Sequence, residues 1–109
     1  MGADAWAGVQ TPTNEIVIGS SNVGLGSNSV VLGNSSITLT GLRGQVGVNT
    51  TSPNNSAQLQ VDSTTKGFLP PRMTTTQRTS ITTPAEGLMV YDTTTKTPWF
   101  YNGTDWIEF

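Results

Sequence analysis

The stretch that decides the fold is a tandem repeat: residues 15–28 read EIVIGSSNVGLGSN and residues 29–42 read SVVLGNSSITLTGL. Apolar residues come in pairs two positions apart, and the pairs recur every seven residues, at Ile16/Ile18, Val23/Leu25, Val30/Leu32 and Ile37/Leu39. Residues i and i+2 share one face of a strand but lie on nearly opposite sides of a helix. The Gly, Ser and β-branched residues between them also disfavour a helix, so the repeat predicts short strands separated by turns.

Strands this short do not fold alone. A strand of four residues spans only about 13 Å, so we expect the strands to stack as a solenoid, in which each unit buries its apolar seam against its neighbours. Two repeats are fewer than such arrays normally need, and the missing contacts must come from other copies of the chain. We therefore predict an all-β protein, whose short parallel β-roll repeats form an intertwined homotrimeric shaft followed by a small C-terminal β-meander.

Alternation along each strand assigns its faces. The valine inside each strand pair, Val17 or Val31, must point away from its two apolar neighbours. We predict that Val30 and Leu32 fill the core of the chain's own roll, whereas Val17 and Val31 face the neighbouring chains at the trimer interface.

Composition supports β-structure. The chain has 109 residues, of which 34% are hydrophobic and 11% charged, against about 25% charged in an average globular protein. Its polarity comes mainly from Thr, Ser, Asn and Gly, which suit pleated surfaces and the turns between strands. A net charge of −2 together with a clear apolar pattern argues against disorder.

Several function classes are disfavoured by the residues present. The five basic residues are scattered, so we expect no nucleic-acid binding, and no apolar run approaches about 18 residues, so we expect no membrane insertion. Cys and His are absent, which removes thiol catalysis, Ser–His arrangements and the usual zinc sites. The carboxylates are dispersed, so we predict no enzyme activity, no catalytic residues, no cofactor and no metal.

Four segments are predicted along the chain. Residues 1–14 lack a period and form an attachment arm, in which Trp6 is the candidate anchor on a capsid or tail protein, since Trp is common at interface hot spots. Residues 15–61 form the shaft. Residues 62–84 form a connector with one helical turn capped by Thr74 or Thr75. Residues 85–109 form a β-meander tip, with an Asn-Gly turn before its last strand.

The predicted tip carries candidate sugar-binding residues. Aromatic ring faces and nearby hydrogen-bonding groups are what sugars use, and the tip supplies Trp99, Tyr101, Trp106, Asp92, Asn102 and Asp105. The same aromatics are also candidates for the core or the trimer interface, because residues 85–109 contain little else to bury.

Parts of the chain resemble known families. The strings EIVIGSS (residues 15–21) and NSVVLGNSS (28–36) resemble the head repeat of trimeric autotransporter adhesins, which implies three parallel β-rolls about a three-fold axis. VGVNTTSPNNSAQLQV (46–61) is similar to an element of phage tail and head fibres. Residues 66–106, with KGFLPPRMTT, GLMVYDTTT and YNGTDW as specific strings, resemble the C-terminal module of fibre proteins from phages of Bacteroidetes-type hosts. These resemblances imply a homotrimeric fibre on the virion surface.

The sequence leaves several functions open. The one favoured by the repeat is a structural head or tail fibre that contributes to host attachment. A second keeps this fold and makes the tip a carbohydrate-binding receptor module that contacts a host glycan or protein. A third places the fibre on a phage-like contractile injection particle. A glycan-cleaving enzyme is disfavoured, because no paired carboxylates occur at a suitable spacing.

Overall fold

The computed structural model describes residues 13–109 of the chain. The chain divides into two units, Met1–Gly44 and Gln45–Phe109. Among the described residues, the first unit contains β1 (Glu15–Ile18) and β2 (Ser29–Leu32), and the second contains six strands and one helix of five residues. The predominance of strands confirms the predicted all-β class.

The two strands of the first unit are the two copies of the repeat. They pair in parallel with Ile16 opposite Val30 and Ile18 opposite Leu32, so equivalent positions of the two copies lie side by side. The turns are in register as well: the Asn28 N–H donates to the Thr13 carbonyl oxygen at 2.9 Å. The prediction of short strands in residues 15–42 is thus confirmed at these two segments.

The interior of the first unit is lined by small and polar residues. Asn22, Gly24 and Gly26 are buried, and the Asn22 side chain donates to the Ile18 carbonyl oxygen at 3.2 Å. A Cβ atom on Gly19 would lie 3.2 Å from the Cα atom of Gly33, so the backbone of the two copies is in close contact there. This interior has little room for large side chains.

The apolar pairs of the repeat consequently lie outside. Val30 is 60% exposed and Leu32 is 54% exposed, so the prediction that these two residues fill the core of the roll is wrong. Val17 and Val31 are instead the half-buried residues of their strands. The error arose because alternation tells which residues share a face but not which face the chain itself covers.

The second unit begins with another parallel pair. β3 (Val46–Val48) and β4 (Leu59–Val61) pair with Val46 opposite Leu59 and Val48 opposite Val61. The loop between them passes close to Gly47, where a Cβ atom would lie 2.8 Å from the Thr50 carbonyl oxygen. Both strands belong to the second unit, whereas the sequence placed residues 15–61 in one shaft.

A four-stranded sheet follows. Its strands are β5 (Arg72–Met73), β6 (Met89–Asp92), β7 (Thr97–Tyr101) and β8 (Trp106–Glu108), in this order across the sheet. β6, β7 and β8 are antiparallel neighbours, which confirms the predicted meander. β5 adds to it in parallel with β6. The sequence did not predict this pairing, because the two segments are separated by the helix and no local pattern links them.

The helix α1 (Thr75–Thr79) connects β5 to β6 and confirms the predicted helical turn. The Thr74 hydroxyl accepts the Gln77 N–H at 3.2 Å, and the Gln77 side-chain oxygen accepts the Thr74 N–H at 2.9 Å. This reciprocal pair is a capping box, which satisfies two of the N–H groups that a helix start leaves without partners.

The two faces of the four-stranded sheet differ in what covers them. Paired residues of the antiparallel strands project from the same face. The inner sheet face carries α1 and is formed by Val90, Asp92, Trp99, Tyr101 and Trp106. The outer sheet face is formed by Met89, Tyr91, Pro98, Phe100 and Ile107.

Candidate functional site

The centre of the inner sheet face is a fully buried carboxylate, that of Asp92. Its Oδ2 atom accepts hydrogen bonds from Arg78 Nε at 2.9 Å and from the Thr75 hydroxyl at 2.8 Å. Its Oδ1 atom accepts the backbone N–H groups of Thr94 at 2.9 Å and Thr95 at 3.1 Å. Asp92 therefore joins the helix, the sheet and the turn after β6.

Arg78 completes this centre from the helix side. The residue is only 5% exposed, and its guanidinium carbon lies 3.9 Å from the centroid of the Trp99 ring and 5.3 Å from that of Trp106. A guanidinium over a tryptophan face is attracted by the π electrons, the more so where water is excluded. The Trp99 indole N–H donates to the Thr95 hydroxyl at 2.9 Å, which fixes the ring.

The surroundings of Asp92 keep its carboxylate ionised. Burial acts to raise the pKa, but the hydrogen bonds from Arg78, Thr75 and the N–H groups of Thr95 and Thr94 outweigh it and lower the pKa of Asp92 from 3.8 to about 2. A carboxylate with such a pKa holds a negative charge at neutral pH and is a poor general acid or base. Its hydrogen bonds link α1 and the turn after β6 to the sheet.

The residues predicted to contact sugar differ in how far the second unit buries them. Trp99, Tyr101 and Trp106 lie together on the inner sheet face and are half-buried. Asp92 lies beneath them and is fully buried, which contradicts the prediction that it contacts a glycan. The physical reason is that both of its oxygen atoms are taken by groups of its own module.

The predicted tight turn after β7 is formed by residues 102–105. The Asn102 N–H donates to the Asp105 carbonyl oxygen at 3.0 Å, and the Asn102 side-chain oxygen accepts the N–H groups of Thr104 at 2.9 Å and Asp105 at 2.7 Å. The Tyr101 hydroxyl donates to the Thr104 carbonyl oxygen at 3.0 Å. Glycan contact by the aromatic residues, Asn102 and Asp105 stays a prediction.

Sequence reasoning missed Arg78 and Thr75 as members of this centre. Both were part of the predicted connector, but their partner lies 14 or 17 residues further along the chain. The available signal was an arginine on a predicted helix followed by an aspartate directly after an apolar strand.

The second unit also leaves apolar surface uncovered by its own chain. The ladder face of β3 and β4 exposes Val48, Leu59 and Val61. On the outer sheet face Met89 and Ile107 are exposed, and the Phe100 ring meets the exposed Phe109 ring edge to face at 5.4 Å between centroids. Exposed apolar side chains that share one face of a sheet are candidates for contact with other chains.

Other kinds of site have little support in the described part of the chain. Within residues 13–109, no group of three or more acidic, His or Cys side chains is arranged to hold a metal ion. No helix in the same residues has the length and apolar character needed to cross a membrane. The predicted anchor Trp6 lies outside the described residues.

Comparison with known protein families gives a match. Residues 47–109, more than half of the chain, match the family model described as the phage tail like trimerisation region. The match starts within β3 and includes both apolar surfaces of the second unit and the Arg78–Asp92 centre. No curated protein and no solved structure matches the chain.

Proposed function

Because the chain belongs to the phage tail-like trimerisation family, we propose that it is a structural fibre subunit that projects from the particle surface and contributes to host attachment. Membership makes it a homotrimeric component of a phage tail-like particle. The structural role is supported by the apolar surface that the strands of the matched region expose. A single chain leaves the outer sheet face and the β3/β4 ladder face in water, and three-fold association supplies a cover.

A structural rather than enzymatic role fits the inner sheet face. The buried carboxylate has its hydrogen bonds within the module, and its neighbour Arg78 is held against Trp99. These contacts hold α1 against the sheet. We expect purified protein to release no reducing ends from host polysaccharide, and measurable release would contradict this part of the proposal.

Particle labelling tests the surface location. Antibodies against the full chain should decorate intact particles in electron microscopy, and the same images distinguish a phage from a contractile injection particle. Removal of residues 1–11, which include Trp6, should leave a trimer that no longer decorates particles. Labelling that requires disrupted particles would contradict surface exposure, and particles decorated by the shortened chain would contradict attachment through the arm.

Host attachment is tested separately. Purified trimer should reduce adsorption of particles to host cells in proportion to its concentration, because both compete for the same surface molecules. A glycan array then tests the alternative in which Trp106, Asn102 and Asp105 bind sugar. Trp106→Ala and Asp105→Ala variants should lose any array signal, and the exposed Thr64→Ala should keep it. Unchanged adsorption at saturating trimer would contradict a role in attachment.

A further inference from the structure

The repeat of the first unit has two separate apolar faces. The strand face comprises the apolar pairs of β1 and β2: Ile16, Ile18, Val30 and Leu32. The return face comprises the pairs in the segments that follow each strand: Val23, Leu25, Ile37 and Leu39. All eight side chains are between 39% and 84% exposed.

The exposure follows from how the chain is folded. Along the first return segment, Asn22, Gly24 and Gly26 point inward and are buried, so Val23 and Leu25 point out. On the strands, Val17 and Val31 occupy the half-buried side. A parallel two-stranded ladder with a bare apolar face is rare, since parallel sheets are normally covered on both faces.

The surface between the two faces is uncharged, which suits contact with another copy. No charged residue occurs between Glu15 and Arg43, so copies of this segment can approach one another without like-charge repulsion. The trimerisation region begins at residue 47, soon after the repeat. The repeat regions of three chains are thereby held in one trimer. This raises their local concentration far above that of a foreign partner.

Three-fold closure requires two different patches on each chain. In a ring, every contact is heterologous: one surface of a subunit meets a different surface of the next. We propose that the strand face of each chain packs on the return face of its neighbour. This packing would cover all eight side chains. An arrangement with only the strand face at the axis would leave the return face in water.

This inference rests on the proposed homotrimer and replaces the interface of Val17 and Val31 that strand alternation predicted. Those two valines then remain on the inner side of their own chain. The residues that specify the shaft contact are the exposed pairs, and their seven-residue recurrence reflects alternation between the two faces.

Disulfide cross-linking of the full chain tests the pairing, because the protein has no cysteine of its own. One variant carries Val30→Cys on the strand face and the other carries Val23→Cys on the return face. Each is refolded alone and in an equal mixture, and then oxidised. We expect covalent dimers in the mixture and only background in either variant alone. Leu32→Cys with Leu25→Cys repeats the test at a second pair.

Matched controls use the exposed turn residues Ser20 and Ser35, which lie on neither face. Ser20→Cys mixed with Ser35→Cys should stay at background. Cross-linking of a Val30→Cys sample by itself would place the strand face at the axis and overturn the proposal. Trimers that give no covalent dimer in either mixture would overturn it too. Sedimentation distinguishes failure of the face pairing from failure of the proposed function. A wild-type chain that sediments as a monomer would contradict the homotrimer, and with it the proposed function.

Discussion

At the scale of single residues, the inner sheet face contains the buried ion pair of Arg78 and Asp92, and replacing either partner alone is costly. A buried pair contributes little net stability compared with apolar residues, but loss of one partner leaves a charge without compensation. Arg78 also contributes its planar guanidinium to the Trp99 face. The sequence predicted the helix that carries Arg78 and the strand that ends in Asp92, but their approach depends on how helix and sheet pack, and no local pattern encodes that.

We expect Arg78→Met and Asp92→Asn each to destabilise the protein. The first change leaves a buried carboxylate without its cation, and the second leaves the buried guanidinium of Arg78 without its anion. The double variant should be more stable than the sum of the two single effects predicts. Urea unfolding at one fixed protein concentration measures all four proteins. Additive effects would show that the two side chains act independently.

The same pair makes stability depend on pH. The pKa of Asp92 is about 2 in the folded chain against 3.8 ordinarily, so the unfolded chain takes up a proton first as the pH falls. The stabilisation is therefore complete above about pH 5 and is lost progressively towards pH 2. Thermal unfolding between these values should show a steeper loss in the wild type than in Asp92→Asn. Parallel curves would contradict the low pKa.

At the scale of elements, those built on local chemistry were predictable. The capping box, the β6–β7 hairpin and the strands of the repeat each follow from residues close in sequence. β5 was not predictable, because it pairs with β6, from which the helix separates it in the sequence. The closeness of the β3–β4 loop to Gly47 was also not predicted, since a glycine in a strand indicates a close approach without showing which segment approaches.

The capping box predicts a measurable effect of Thr74. Thr74→Ala removes the hydroxyl that accepts the Gln77 N–H, and we expect a loss of about 1 kcal/mol in the free energy of unfolding. The control is Thr76→Ala, an exposed position inside the same helix, where alanine has the better helix propensity. Urea unfolding should separate the two variants clearly. Equal stabilities would mean that the cap does not contribute.

Gly47 predicts a steric effect. A Cβ atom there would lie 2.8 Å from the Thr50 carbonyl oxygen and 3.1 Å from Pro53 Cγ, so Gly47→Ala must displace backbone. We expect a loss of about 1–3 kcal/mol, as overpacking usually causes. At Gly67 a Cβ atom meets nothing within 4 Å, so Gly67→Ala should be neutral or stabilise by about 0.4–1 kcal/mol. Equal unfolding midpoints would contradict the close packing of the loop.

At the scale of the whole molecule, the sequence predicted association but not the surfaces that make it. Two repeats are too few to bury their own apolar pairs, and that shortage by itself indicates other copies of the chain. Which side chains face those copies depends on the width of the interior, which Asn22 and the glycines keep narrow. The outer sheet face was hidden for a similar reason: alternation identified the residues that share a face, but not the face that α1 would cover.

The outer sheet face gives a prediction about the whole assembly. Ile107 and Glu108 are neighbours on β8 that project from opposite faces, and both are exposed in a single chain. If the outer face packs against other copies, Ile107→Asp removes the apolar burial of the 37% of Ile107 that a single chain leaves exposed and adds a charge that has no partner. The trimer should then dissociate at higher protein concentration than the wild type, as measured by sedimentation through a dilution series. Glu108→Gln is the matched control and should dissociate like the wild type, because it alters the other face of the same strand. A trimer that tolerates Ile107→Asp as well as it tolerates Glu108→Gln would show that this face stays in water, and the β3/β4 ladder face would then be the contact to test.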